Sequence, residues 1–495
     1  MNKKLNYLIL LTILIFVLIG CEKEETIIFD TLTEKNFNKV DPDKINHYNI
    51  EVKLDEEQMT YTGKQWTTYI NNTDRTLGEL YFHIYPNAFK TKENAPILFG
   101  KDGGDTSQYI GGNIDINKVT VDNLELDYSI EGEDNTILHI KLKEPLLKNQ
   151  KLKIYMEYNV KLPTAKERFG YGDRTINLGN WYPIACVYDE KGWNLEPYYT
   201  LGDPFYSDIG NYDVKIHTHK DTVVASSGNI LSEKVEGDEK TYEIEGKLIR
   251  DFAWVASKDF KIARGKIENT QIKLYYLDEN PSMVKKSIKI GEDSIRIFNR
   301  IFGDYPYGHY SIVMTEFPTG MEYPGIVFIG EQYFKGKFKD VLEQIIVHET
   351  AHQWWYGLVG SNQVKEAWLD EGLTTYSEVI YTNEVHGPKK GKKYLTDNIK
   401  IGYELGKNYL LEDDIVNKPL KDFSSWDDYG ILVYTKAAMF INEINDKFGE
   451  DMLYRILREY FKEYKYYNAT TDDFIKVCEE VTNTDFHDLV QKWLY

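Results

Sequence analysis

The spacing of apolar residues changes partway along this 495-residue chain, and that change limits the folds open to it. From about residue 46 to 255 apolar side chains recur at every second position. Tyr48-Asn49-Ile50-Glu51-Val52-Lys53-Leu54 alternates, as do Leu138 to Leu142 and Lys151 to Tyr158. Successive side chains of a strand point to opposite faces, so the pattern predicts half-buried strands. Asn71-Asn72, Ser227-Gly228 and Gly237-Asp238 supply turns between them, and Gly100 to Asn113, with five glycines, reads as a long loop. After about residue 256 a few strand-like runs remain, at Ile272 to Tyr276, Tyr310 to Thr315 and Ile326 to Ile329. Helical spacing then takes over. Leu342, Ile345, Ile346 and Trp354 fall on one helix between a cap at Asp340 and a stop at Gly357. Further helices are expected from about Glu366 to His386, ended by Gly387-Pro388, and from about Leu432 to Phe448, ended by Gly449. The fold class is multidomain α+β: a β-rich domain over residues 46–255, then an α/β part over 256–495 that becomes mostly helical.

The start of the chain reads as an address. Lys3 and Lys4 precede an apolar run from Tyr7 to Ile19, shorter than the ~20 residues a spanning helix needs. Leu18-Ile19-Gly20-Cys21 followed by Glu22 resembles the lipobox of bacterial lipoproteins. The resemblance implies a signal peptide over residues 1–20, a lipid on Cys21, and attachment to the extracytoplasmic face of a bacterial membrane. The alternative is an uncleaved signal anchor with an incidental cysteine. Residues 21–45 are charged, lack apolar periodicity and read as a tether. Cys186 and Cys478 are expected as buried free thiols, with a single bridge left open. A net charge of −20 repels phosphate backbones, so nucleic acid is not an expected partner.

The chemistry concentrates at His348-Glu349-Thr350-Ala351-His352. Four residues is close to one helical turn, so both imidazoles leave the same face and can grip one ion, with Glu349 beside them. The bland alternative is a helix with two partly exposed histidines. Nineteen residues on, Glu371 sits near the start of the next helix. Two histidines and one carboxylate, with a position left for water, is the ligand set of catalytic zinc sites, whereas structural sites close all four positions, usually with cysteines.

HETAHQWW followed by WLDEG resembles the aminopeptidase-N-like zinc metallopeptidases, a gluzincin family that also contains leukotriene hydrolase. Gly320-Met321-Glu322 is similar to the family's GxMEN motif, and Val433-Tyr434-Thr435-Lys436 to the segment bearing its catalytic tyrosine. Asp251-Phe252-Ala253-Trp254 and Gly202-Asp203-Pro204 are smaller echoes. The resemblance implies a saddle-like β domain followed by a thermolysin-like catalytic domain, without the helical superdomain of larger members and with a more open cleft. It implies one Zn2+ held by His348, His352 and Glu371, with Glu349 as general base and Tyr434 stabilising the oxyanion. Glu322 would bind the free amine of a peptide substrate, with the backbone of Gly320 and Met321 along it. Thr319 and Tyr323 depart from the family's Gly and Asn, and no equivalent of its N-terminal-domain Gln motif stands between Asn180 and Trp193.

Four further features carry weaker expectations. Glu378 is either a carboxylate behind the metal ligands or a solvated helix position. His217 and His219 share one face of a strand and read as sheet surface. Trp354 and Trp355 are expected to pack beneath the metal helix. The GPKKGKK stretch from Gly387 lacks the spacing and the Ser/Thr of a phosphate loop. The competing readings of the whole are a zinc endopeptidase using the same site and a non-enzymatic, peptide-binding lipoprotein.

Overall fold

The structure is a computed structural model that describes residues 30–92, 95, 109–278, 280–335, 338, 341–410 and 413–495. The leader with Cys21, the cap at Asp340 and most of the glycine-rich loop lie outside these residues. The first half is strand after strand. An eight-stranded sheet runs, in spatial order, Asn229–Glu236, Glu239–Ile249, Gly210–His219, Asn46–Asp55, Thr60–Ile70, Lys151–Lys161, Asn113–Val121 and Leu124–Glu125. In Asn46–Asp55 the alternation is obeyed from Tyr48 on, with Tyr48, Ile50, Val52 and Leu54 buried and the residues between exposed. Two four-stranded sheets pack with it and share its core.

A second architecture begins near residue 261. Five strands line up as Lys261–Ile267, Thr270–Tyr276, His309–Thr315, Ile326–Gly330 and the short edge Gly320–Met321. The middle three are parallel, and every residue of His309–Thr315 and Ile326–Gly330 is buried, as befits strands covered on both faces. The 21-residue helix Pro281–Ile301 makes the crossover between two of these strands and is not among the expected elements, although Ile290, Ile297, Phe298 and Ile301 fall on one buried face. Its signals are local: Asn280 accepts a hydrogen bond from the Met283 N–H as a cap, and Pro281 takes the first helical position.

The metal helix is shorter than expected. It spans Leu342–Ala351, and the chain turns at His352 instead of continuing to Gly357. Trp354 and Trp355 therefore leave the helix, but both are fully buried, Trp354 against Phe298, Phe302 and Tyr305, and Trp355 against Phe302 and Tyr460. Trp368–His386 and Ala437–Phe448 are helices ending at Gly387 and Gly449, each at φ +87°, which glycine adopts without strain. Cys186 and Cys478 are buried and unpaired.

Residues 30–45 are not a free tether. Leu32 bridges to Tyr307, the Thr33 N–H donates to Pro306 O, and the Glu34 carboxylate takes Lys465 and the Tyr466 hydroxyl. Asn38 donates to the carbonyls of Glu463 and Lys465. Charged side chains that look solvated in sequence here find partners far along the chain.

Candidate active site and metal centre

Three ligand atoms converge between the two helices. The Nε2 atoms of His348 and His352, one turn apart, lie 3.2 Å from each other. Glu371, in the first turn of Trp368–His386, places Oε2 at 3.1 Å from His348 Nε2 and 3.3 Å from His352 Nε2. Ligand atoms bound at about 2.0–2.1 Å to a tetrahedral zinc stand about 3.3 Å apart, so the triangle has the size for one such ion. The outer nitrogens fix the rings. His348 Nδ1 donates to Glu378 Oε1 at 2.7 Å, and His352 Nδ1 lies 3.2 Å from Trp355 O and from Thr374 Oγ1. With Nδ1 protonated, each Nε2 lone pair faces the triangle. Of the two readings of Glu378, the structure supports a carboxylate behind a ligand.

The charge balance fits a cation as well. Burial opposes charge on His348, yet its hydrogen bonds to Glu371 and Glu378 hold its pKa well above the usual value. His352 is likewise buried, and the fields of Glu322 and Glu371 push it up to about 10. Despite burial, His352 and His348 hold Glu371 well below the carboxylate range. The cluster demands positive charge at its centre, and a divalent ion supplies it without protons.

Glu349 stands beside the triangle, buried, with Oε2 lacking any hydrogen-bond partner. Burial, reinforced by the Glu322 charge and opposed by the histidines, pushes its carboxyl up to about 8. Gly320 makes room for it: a Cβ there would sit 1.9 Å from Glu349 Oε1. Gly320–Met321 pairs antiparallel with Ile326–Gly330, and this edge delivers Glu322 into the site. Glu322, Glu349 and His352 offer atoms within 4.8 Å of one another. Tyr434 lies on a π-helical turn, Gly430–Lys436, a widened helix common at functional sites. Its hydroxyl donates to Glu371 Oε1 at 2.6 Å, the oxygen turned away from the histidines.

Several residues around the site were not singled out for their positions here. Gln363 Nε2 donates to Glu322 Oε1 at 3.2 Å and also to Asp370. Gln353 clamps the same loop, accepting from the Gly325 N–H at 2.8 Å and donating to Tyr323 O at 3.2 Å. Tyr323 reaches Asn180 Oδ1 at 2.8 Å, and Asn180 in turn donates to Asp251, so the departure from Asn ties the loop to the β-rich part. Asp203 pairs with Arg168 at 2.6 Å on the wall of the cavity, both buried. Gln353 and Asp370 lie inside the quoted motifs, and Asp203 in one of the echoes, but their partners are legible only in three dimensions. The cavity is about 230 Å³ and is bounded by Arg168, Asp203, Glu322, Glu349, Trp426 and Tyr434 around the ligand triangle. A more open groove of about 720 Å³ beside Pro281–Ile301 holds no metal-ligating cluster among the described residues. His217 pairs with Glu239 and Glu51 on the sheet surface and joins no such cluster.

Two imidazoles from an HExxH helix, a glutamate from the next helix, and a buried carboxylate beside them make up the ligand set of a catalytic zinc site. The chain matches the model of the peptidase family M1 domain over residues 287–493. It is 24% identical to aminopeptidase M1-D of Oryza sativa subsp. japonica over 297 residues, 57% of this chain and 34% of the relative. Aminopeptidase N of Streptomyces lividans is 26% identical over 204 residues, 38% of this chain and 23% of the relative. The chain thus spans about a third or less of the length of these relatives. The fold is that of the M1 zinc metallopeptidase from Deinococcus radiodurans, with a TM-score of 0.65 over 91% of this chain and 94% of that one at 13% identity.

Proposed function

We propose that the chain is a zinc-dependent aminopeptidase that removes N-terminal residues from peptides. The observation that carries this is Glu322, a buried carboxylate beside Glu349 and His352 in the same small cavity as the ligand triangle. A carboxylate there binds the ammonium of a free N-terminus and so sets which bond reaches the reacting centre. The cavity is small beside the roughly 300–1,000 Å³ of common ligand pockets, which suits one terminal residue.

His348, His352 and Glu371 would hold the ion. When bound, zinc supplies Lewis acidity and makes water acidic enough to attack a carbonyl near neutral pH. Glu349 takes the proton of the attacking water and returns it to the leaving amine, a role open to a buried carboxylate whose Oε2 is engaged by no other group. Tyr434 turns its hydroxyl to the developing oxyanion; losing one such donor costs ~10²–10³ in turnover. Gln363 positions Glu322, and Glu378 and Thr374 orient the histidines.

The test compares free and N-acetylated forms of one peptide, with and without chelator, on wild type and Glu349→Gln. The expected result is cleavage of the free form only, lost on chelation, with the variant inactive but zinc-loaded. Equal cleavage of the acetylated peptide points instead to an endopeptidase, and a Glu349→Gln variant behaving as wild type points to a non-enzymatic binding protein.

We also propose that the enzyme is lipid-anchored through Cys21 on the extracytoplasmic face of a bacterial membrane, with domains over residues 46–255 and 256–495. The support is the leader's charge, its short apolar run and Gly20-Cys21. No helix among the described residues is long and apolar enough to cross a membrane. Mass spectrometry of the mature N-terminus tests the anchor: an unmodified Cys21 ends the idea.

A further inference from the structure

Beyond Gly387 the chain forms one nearly continuous helical run: Pro388–Tyr394, a π turn over Leu395–Lys400, Ile401–Gly406 and a tight turn at Lys407–Tyr409. Between Gly387 and Leu410 it carries six lysines against Asp397 and Glu404, a local excess of four positive charges on a chain of net −20. Lys389, Lys390 and Lys392 are exposed, and no ion pair joins them to a described residue, while Lys393 and Lys407 pair only within the run. The same run exposes Ile401 (45%), Leu405 (62%) and Tyr409 (75%), spaced four residues apart. Leu405 and Tyr409 are the two most exposed large apolar side chains among the described residues.

A helix with lysines beside exposed aliphatic and aromatic side chains has the chemistry of one that lies in a bilayer interface. The positive excess selects an anionic surface, because the rest of the molecule is acidic and is repelled by one. We propose that residues 387–410 are a docking surface for an anionic phospholipid bilayer. The surface adjoins the candidate active site. The Tyr394 hydroxyl donates to Glu378, which holds His348. Gly402 and Gly406 pack against Thr435 and Ile431, on the turn that carries Tyr434. Docking there sets the cavity close to the membrane plane. The inference rests on charge and exposure and stands apart from the peptidase reading.

The test uses the full chain with Cys21→Ser, so that one introduced thiol joins the buried Cys186 and Cys478. An environment-sensitive fluorophore is placed at Leu405→Cys or, as a reference, at Val235→Cys, which is exposed on the eight-stranded sheet. Vesicles of phosphatidylglycerol or phosphatidylcholine carry a quencher in the acyl chains. Since the leader itself can hold the chain to either vesicle, the quantity read is quenching at position 405 relative to 235. The expected ratio is about threefold on phosphatidylglycerol. It falls to one on phosphatidylcholine, in about 0.5 M salt, and in Lys389→Glu/Lys390→Glu/Lys392→Glu, a variant whose melting temperature is unchanged. Equal quenching at both positions on phosphatidylglycerol overturns the proposal, as does a ratio indifferent to lipid charge and to the lysine reversals. Concentration-dependent shielding of position 405 without vesicles overturns it in favour of a second copy of the chain.

Discussion

Gly320→Ala is the sharpest probe of how the site is built. An added Cβ would lie 1.9 Å from Glu349 Oε1, whereas real Cβ contacts essentially never fall under 3.0 Å. One partner must retreat by about 1 Å, and a misplacement of that size at a reacting centre costs about 10²-fold in rate, or about 2.7 kcal/mol of barrier. The side chain is the softer partner, because Glu349 Oε2 has no hydrogen bond to hold it, whereas Gly320 lies in a paired strand. The expected result on an aminoacyl-nitroanilide is kcat lowered about 100-fold, with zinc content by mass spectrometry and the melting temperature close to wild type. In a Glu349→Gln background the same substitution should add little, since no base remains to displace. Wild-type turnover in Gly320→Ala, or loss of zinc in step with activity, would show that the contact does not act through Glu349.

Three other expectations follow from the structure. Glu378→Gln weakens the hold on His348 Nδ1 and should lower zinc affinity about 10- to 100-fold in chelator competition; unchanged affinity would make Glu378 a bystander. Glu322→Gln should lower kcat/KM for free-amine peptides about 10- to 100-fold, the worth of a charge-assisted hydrogen bond, and leave little difference between free and acetylated peptide; a full penalty for acetylation in that variant counts against the amine site. Burial lowers the pKa of His83 and of His309 to about 4 from 6.5, so from pH 6.5 down to 4 the unfolded chain takes up protons that the folded one refuses. Each therefore contributes stability that is complete above pH 6.5 and shrinks as pH falls, by about 2–3 kcal/mol at pH 4.5. Urea midpoints should decline over that range, and less steeply in His309→Gln; parallel pH profiles for variant and wild type would refute the assignment.

The ligand set was legible in sequence because its geometry is local. His348 and His352 share a helix face by spacing alone, and Glu371 needs only the next helix to fold back. Strand alternation at Asn46–Asp55 was legible for the same reason. What escaped depends on contacts that no window contains. Gln363 matters because it meets Glu322 from 41 positions away, and Arg168 because it meets Asp203. The metal helix was drawn too long because Trp354 kept the helical spacing while packing from a turn. The Pro281–Ile301 helix is legible twice over, in the Asn280-Pro281 start and in the helical spacing of Ile290, Ile297, Phe298 and Ile301, and no physical reason hides it.

The early residues clasped to the far end of the chain bear on how the molecule comes to be finished. Glu34 and Lys465 are 431 positions apart, and at about 5–20 residues per second a ribosome needs roughly 20–90 s to pass from one to the other. Throughout that interval the Glu34 carboxylate lacks its Lys465 and Tyr466 donors, although Leu32 and Thr33 can already meet Tyr307 and Pro306. Closure of the Glu34 end of this seam is thus a late event that only a chain made through to Tyr466 can reach, and a product broken off shortly before it would be left open there.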